Sequence, residues 1–282
     1  LFFFFFLICC WVLCFPDGEM RRVVIEKPDN QKLVGILHDT GSKEVVIVCH
    51  GFRSSKDRIP MLNLATSIAN HGISAFRFDF AGNGESDGSF QYGNYVSETE
   101  DLRSVVQHFT DKNRSIVAAI GHSKGGNVVL LYASKYKDVP AIVNISGRFD
   151  LRKGILNRLG KNYLTKLKQN GFIDVRDRKG EIQYRVTEAS LMDRLSTETL
   201  AACRRISSDC RVMSIHGEDD KVVSFRDALE FDKYIANHQV RIVCGADHEF
   251  TNHQNELISP MLDFLNDVSR QDTTTRSSGS RL

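Results

Sequence analysis

The chain has 282 residues, 41% of them hydrophobic, enough for one large core or for one core with an insertion. Lys and Arg number 37 against 35 Asp and Glu, so the charge balance gives no case for a nucleic-acid partner. No Cys/His spacing fits a metal site, and no internal repeat is present.

Leu1 to Phe15 (LFFFFFLICCWVLCF) is almost wholly apolar, yet shorter than the roughly 20 residues a transmembrane helix needs. No basic leader precedes it and no small-residue cleavage site follows. Residues 1–19 are therefore set aside as an apolar leader or a gene-model artefact, with Met20 as an alternative start. The cysteines beyond this stretch (Cys49, Cys203, Cys210, Cys244) are too widely spaced for a disulfide framework. A reducing, cytoplasmic setting is the expectation; a genuine leader would make the protein secreted or membrane-associated. Cys49 and Cys244 close apolar runs, where cysteine behaves as a small buried hydrophobe. Of two Asn-x-Ser sequons, the one at Asn144 falls inside an apolar run and is expected to be buried.

Arg22 to Lys27 and Lys32 to His38 read as strands joined by a Pro28-Asp29-Asn30 turn. Glu44 to Cys49 is a continuous apolar strand ending at His50-Gly51-Phe52. A helix over Pro60 to Asn70 follows, with Gly72 as its C-cap, and then a strand over Ile73 to Phe80. Ser97-Glu98-Thr99-Glu100 reads as a capping box that starts a helix to Asp111. Ser115 to Ile120 is the next buried strand, Asn127 to Tyr136 carries helical spacing, and Ala141 to Ser146 is again a strand. Arg148 to Arg205 breaks the rhythm with helical pieces and a polar hairpin around Lys179-Gly180. Alternation resumes with a strand over Arg211 to His216, a helix over Ser224 to Asn237, a strand over Gln239 to Cys244 and a helix from Asn252 to Val268. The polar residues 270–282 have nothing to bury and are expected to be disordered. Such alternation predicts an α/β fold: a mostly parallel sheet covered by helices, with chemistry at the carboxyl ends of the strands.

Gly121-His122-Ser123-Lys124-Gly125 lies between a buried strand and a helix. A serine in so tight a turn projects its hydroxyl above the sheet edge, and glycines on either side avoid backbone clashes. This stretch resembles the nucleophile elbow of the α/β-hydrolase superfamily, which implies Ser123 as nucleophile. In that fold the acid and then the histidine follow the serine. Four histidines do so: His216, His238, His248 and His253. His248 sits in the loop after the last strand, where the base belongs, and His253 a turn further on is the reserve. The stretch His216-Gly217-Glu218-Asp219-Asp220-Lys221-Val222-Val223 resembles the superfamily's His-Gly-x-x-Asp-x-x-Val pattern, which aligns Asp220 rather than Asp219 as the acid. His50-Gly51-Phe52 resembles the superfamily's oxyanion loop. The resemblance implies an oxyanion hole formed by the backbone N–H groups of Phe52 and Lys124.

Asp79-x-x-Gly82-x-Gly84-x-Ser86 is not a dinucleotide fingerprint, because Asp87 stands where a third glycine would be needed. It reads as a structural turn. It resembles a loop of the branch that holds serine aminopeptidase S33-type proteins, monoacylglycerol lipases and feruloyl (cinnamoyl) esterases. Lys124 departs from the Met often found at that position in the monoacylglycerol lipases. The matches run from about residue 32 to 268.

The resemblance implies an α/β-hydrolase fold over residues 20–269, with 148–205 as a lid insertion, and a serine hydrolase that cleaves carboxylic esters without a metal or organic cofactor. Thioesterase, acyltransferase or peptidase chemistry, or a ligand-sensing role without turnover, are the alternatives. The expected partner is a small-molecule ester. Between Arg148 and Arg185 eleven Lys/Arg stand against four Asp/Glu, an excess of seven positive charges. Two readings stay open for it: a solvated helix face, or a bias toward anionic substrates or an acidic membrane surface.

Overall fold

The computed structural model describes residues 19–279, with side chains through Arg270. Leu1–Phe15 lies outside the described residues. Among the described residues eight strands form one sheet: β1 (Glu19–Glu26), β2 (Lys32–Asp39), β3 (Glu44–Cys49), β4 (Ser74–Phe78), β5 (Ser115–His122), β6 (Ala141–Ile145), β9 (Arg211–Gly217) and β10 (His238–Val243). Their spatial order is β1-β2-β4-β3-β5-β6-β9-β10. β1 pairs antiparallel with β2 and β2 with β4. All remaining neighbours are parallel. The fold is thus that of an α/β hydrolase, a mostly parallel sheet flanked by helices.

The continuous apolar runs are explained by cover on both faces. Along β3, Val45, Ile47 and Cys49 enter one core layer, and Val46 and Val48 enter the other. The first layer is closed by α2 (Tyr95–Asp111), α3 (Lys124–Tyr136) and α8 (Arg226–Asp232), through Leu102, Val129 and Phe231 among others. The second is closed by α1 (Met61–Asn70) and α9 (Gln254–Gly279), through Leu64, Ile68, Leu257 and Met261. Each large side chain so buried contributes about 1.5–3 kcal/mol.

Between β6 and β9 lie α4 (Ile155–Leu159), α5 (Tyr163–Asn170), an antiparallel hairpin of β7 (Phe172–Arg176) and β8 (Ile182–Thr187), α6 (Glu188–Ser196) and α7 (Thr199–Arg205). Ile155, Leu159, Leu167, Ile173, Tyr184, Val186 and Leu191 form a small core of their own with Tyr92, and Phe52 and Phe90 pack against it. α7 does not share it: Cys203 and the following Ile206 join the main core.

Several element bounds differ from the local expectations. α2 begins at Tyr95, before Ser97, so the capping box does not start it. Its Tyr95 N–H donates instead to the Asp193 carboxylate of α6, 3.0 Å away. α8 stops at Asp232 rather than running to Asn237, and residues 233–237 form turns. α9 extends to Gly279, past Val268 and into the tail expected to be disordered. Cys244 is exposed, because it follows the last residue of the edge strand β10, whereas Cys49 is fully buried. Asn144 is buried, so that sequon is closed to modification. Among the described residues no helix is long and apolar enough to cross a membrane.

Candidate active site

β5 delivers the chain to Ser123, and α3 starts one residue later. Ser123 has φ 55° and ψ −114°, a backbone conformation that costs a non-glycine residue about 1–3 kcal/mol. The turn is possible because its neighbours are small. A Cβ on Gly121 would meet the Gly125 carbonyl oxygen at 2.1 Å, and one on Gly125 would meet the Cys49 and His50 carbonyl oxygens at 2.5 Å. The Ser123 N–H donates to the Ile145 carbonyl at 2.7 Å, which ties the elbow to the end of β6.

The loop after β10 brings His248 to the serine. His248 Nε2 lies 3.0 Å from Ser123 Oγ, and its Nδ1 lies 2.6 Å from Asp220 Oδ2. Asp220 follows β9, and its other oxygen accepts the Val222 and Val223 N–H groups at 2.7 and 2.8 Å. Burial pushes the Asp220 pKa up. Hydrogen bonds from His216 and His248 more than offset this and hold the carboxyl below its usual range, so it is anionic. Asp219 points away: its side chain is 61% exposed and faces Lys221 at 3.4 Å. His253 has no hydrogen bond to Ser123 or Asp220, and its ring lies beside Gly245. The structure therefore joins Ser123, His248 and Asp220 in one hydrogen-bonded chain and leaves Asp219 and His253 out of it.

Three further histidines, His216, His122 and His50, frame this chain. His216 Nε2–H is shared between the Val223 carbonyl, at 3.0 Å, and Asp220 Oδ2, at 3.2 Å. His122 Nε2–H donates to the His248 carbonyl at 2.8 Å. Burial, followed by the neighbouring His248, pushes its pKa down to about 3, so it stays neutral. His50 Nδ1–H donates to the Gly51 carbonyl at 2.8 Å while Nε2 accepts the Phe80 N–H at 3.1 Å, which pins the loop after β3. Their adjacency to Gly51, Ser123 and Gly217 was visible in sequence; the partners that His50 finds at Phe80 and His122 at His248 lie on other segments of the chain.

Phe52 and Lys124 flank Ser123 from the β3 loop and the start of α3. Among the described residues neither backbone N–H donates to a protein acceptor, so both are free for an incoming oxygen. The Phe52 ring packs edge-on against Phe90, Tyr92 and Tyr184, so the hairpin strand β8 reaches over this loop. The Lys124 side chain turns inward to Glu98 at 2.6 Å, each side chain only 4% exposed. Burial, only partly offset by Lys124, raises the Glu98 pKa to about 7.

The Asp79 turn is structural. Asp79 accepts the Lys56 and Glu85 N–H groups and pairs with the buried Lys56 ammonium at 2.8 Å. A Cβ on Gly84 would strike the Asp79 carboxylate at 2.1 Å. His122, His248 and Glu249 offer ligand atoms within 4.8 Å of one another, but both His248 nitrogens are already engaged by Ser123 and Asp220. A metal there would have to displace those contacts.

A cavity of about 40 Å³ opens beside Ser123, lined by Phe52, Lys124, Tyr95, Asn127, Val222, Val223, Gly154 and three arginines, Arg148, Arg158 and Arg194. A larger cavity, about 570 Å³, lies at the amino ends of β3 and β5, by Glu44 and Ser115, at the opposite end of the strands from Ser123.

The profile of the family described as serine aminopeptidase, S33, matches residues 40–255. The chain belongs to that family. This S33-family chain is 24% identical over 226 residues to the uncharacterized protein YDL057W of Saccharomyces cerevisiae, covering 73% of its own length and 69% of the other's. It is 27% identical over 111 residues to a monoacylglycerol lipase of Mycolicibacterium smegmatis, 39% of each chain. In structure it is similar to Est1E from Butyrivibrio proteoclasticus, solved with bound ferulic acid: TM-score 0.77 at 19% identity, covering 88% of this chain and 100% of that one. That likeness concerns the fold, which both sequence and structure assign to the α/β hydrolases.

Proposed function

We propose that this S33-family protein is a carboxylic ester hydrolase that works through an acyl-enzyme on Ser123. The observation that carries the reading is the unbroken hydrogen-bonded chain from Ser123 Oγ through both nitrogens of His248 to Asp220. Ser123 Oγ attacks the ester carbonyl carbon while His248 Nε2 takes its proton. Asp220 keeps the remaining imidazole proton on Nδ1 and stabilises the imidazolium. The Phe52 and Lys124 N–H groups donate hydrogen bonds to the developing oxyanion. The carbonyl–alkoxy bond then breaks, and His248 returns the proton to the departing alcohol. Water repeats the attack with His248 as base and frees the acid and Ser123.

The structural likeness to the esterase Pf2001 of Pyrococcus furiosus and the lipase among the sequence relatives support an ester over a peptide bond. The test is active-site labelling with a fluorophosphonate probe, beside hydrolysis of p-nitrophenyl acetate. Ser123 labels in the wild type, and Ser123→Ala abolishes both label and turnover. An unlabelled Ser123 in folded protein rejects the proposal and favours a role without turnover.

A further inference from the structure

The basic excess of the segment between β6 and β9 divides in two. Most of its cations are solvent-facing, and Arg185 is paired with Asp174 at 2.7 Å. Half-buried Arg148 and buried Arg194 of α6 instead line the cavity at Ser123, and Arg158, itself exposed, stands at its rim. Among the described residues none of these three guanidiniums has a carboxylate within ion-pair distance. Arg194 is 6% exposed and donates to the Leu151 and Lys153 carbonyls and to the Tyr95 hydroxyl. Arg148 is half-buried and reaches the Val222 carbonyl. The Arg158 guanidinium lies 4.4 Å from the centre of the Phe52 ring, and among the described residues its side chain has no hydrogen-bond partner.

Converging like charges in a partly desolvated site raises the energy of the empty protein. Burial lowers the Arg148 pKa, and Arg194 and Arg158 lower it further, with Asp227 the opposing acid. Arginine keeps its proton under such pressure, so the charge persists. A guanidinium carries five donors, and Arg148 and Arg158 have spare ones facing the nucleophile's cavity. That combination is what a carboxylate accepts in charge-assisted bonds. At about 40 Å³ the cavity has room for a small group such as a carboxylate.

We propose that Arg148 and Arg158, backed by Arg194, form an anion subsite next to Ser123, and that the preferred substrate is a small ester carrying a carboxylate a few bonds from the reacting carbonyl, such as a hemiester of a short dicarboxylic acid. The inference rests on the ester-hydrolase reading of the same site.

The test compares monomethyl succinate with methyl levulinate, in which a neutral acetyl group replaces the carboxylate. The wild type prefers the anionic ester in kcat/KM by about tenfold or more, as expected for one or two charge-assisted hydrogen bonds. The preference shrinks as ionic strength rises from about 0.01 M to about 1 M, because the Debye length falls from about 30 to about 3 Å. Arg148→Gln and Arg158→Gln each cut the ratio of the two esters, whereas Lys166→Gln, an exposed cation on α5, leaves the ratio unchanged. A ratio near one in the wild type, or an equal fall in all three variants, overturns the subsite. A second readout needs no turnover: calorimetric titration of succinate into the Ser123→Ala protein with and without Arg148→Gln and Arg158→Gln. Succinate that binds and loses about tenfold in affinity with either change supports the subsite even if fluorophosphonate labelling defeats the hydrolase reading. Labelled, active enzyme that ignores succinate defeats the subsite alone.

Discussion

Replacing Asp220 with Asn should break the proposed chemistry while leaving the fold. Asp220 uses both oxygens. One accepts two backbone N–H groups at 2.7 and 2.8 Å, and the other accepts from His248 at 2.6 Å and from His216 at 3.2 Å. An amide has only one acceptor. If its oxygen keeps the Val222 and Val223 N–H groups, its NH₂ meets His216 Nε2–H donor to donor. The same NH₂ drives the His248 proton from Nδ1 to Nε2, where it blocks proton transfer from Ser123. If the amide flips, the NH₂ opposes the two backbone donors instead. Either way His248 loses its anionic partner, and the analogous change in a serine-protease triad costs about 10⁴-fold in kcat, or about 5.4 kcal/mol. Asp219→Asn changes only an exposed pair with Lys221, which is worth about 0–1 kcal/mol, so kcat should stay within about threefold. Both variants are assayed on one activated ester, with circular dichroism confirming the fold. A severe loss in Asp219→Asn beside a mild one in Asp220→Asn refutes the reasoning.

Gly125→Ala should cost about 2–3 kcal/mol or more in urea unfolding and depress activity as well, because its Cβ would strike two backbone oxygens of the β3 loop that no rotamer can move; a neutral result would show that the elbow is slack. The folded-state pKa of Glu98, about 7, lies above its unfolded value, so its contribution to stability is complete below about pH 4.3 and is lost as pH rises through 7. Melting temperature in Glu98→Gln should therefore decline less steeply between pH 5 and pH 8 than in the wild type; parallel curves would remove Glu98 as the cause. His122→Phe deletes the donor to the His248 carbonyl and should lower kcat/KM for an activated ester by about tenfold with the far-ultraviolet spectrum unchanged, while full activity would leave His248 positioned by Asp220 alone.

Period and punctuation carried the sheet. β3 matches its predicted limits, Glu44–Cys49, because a strand buried on both faces reads as an unbroken apolar run. The elbow was legible for a similar reason: glycines at 121 and 125 around Ser123 are what a turn with no room for a Cβ demands. The order of Ser123, Asp220 and His248 along the chain was also visible. That His248 rather than His253 meets the serine, and Asp220 rather than Asp219 the imidazole, is geometry between loops 28 and 125 residues apart. The start of α2 was misjudged because its cap is Asp193, 98 residues away, and a local capping pattern carries no knowledge of a distant carboxylate. Composition announced a basic segment between β6 and β9, but only packing brought half-buried Arg148 and the rim cation Arg158 to the cavity beside Ser123, apart from the cations that line no part of it. The sequence by itself determined which residues could be buried and which backbone could turn, since hydrophobic period and steric size are local properties. The tertiary structure decided which polar groups meet, because hydrogen bonds and charge act over a few ångströms of space, whatever their separation along the chain.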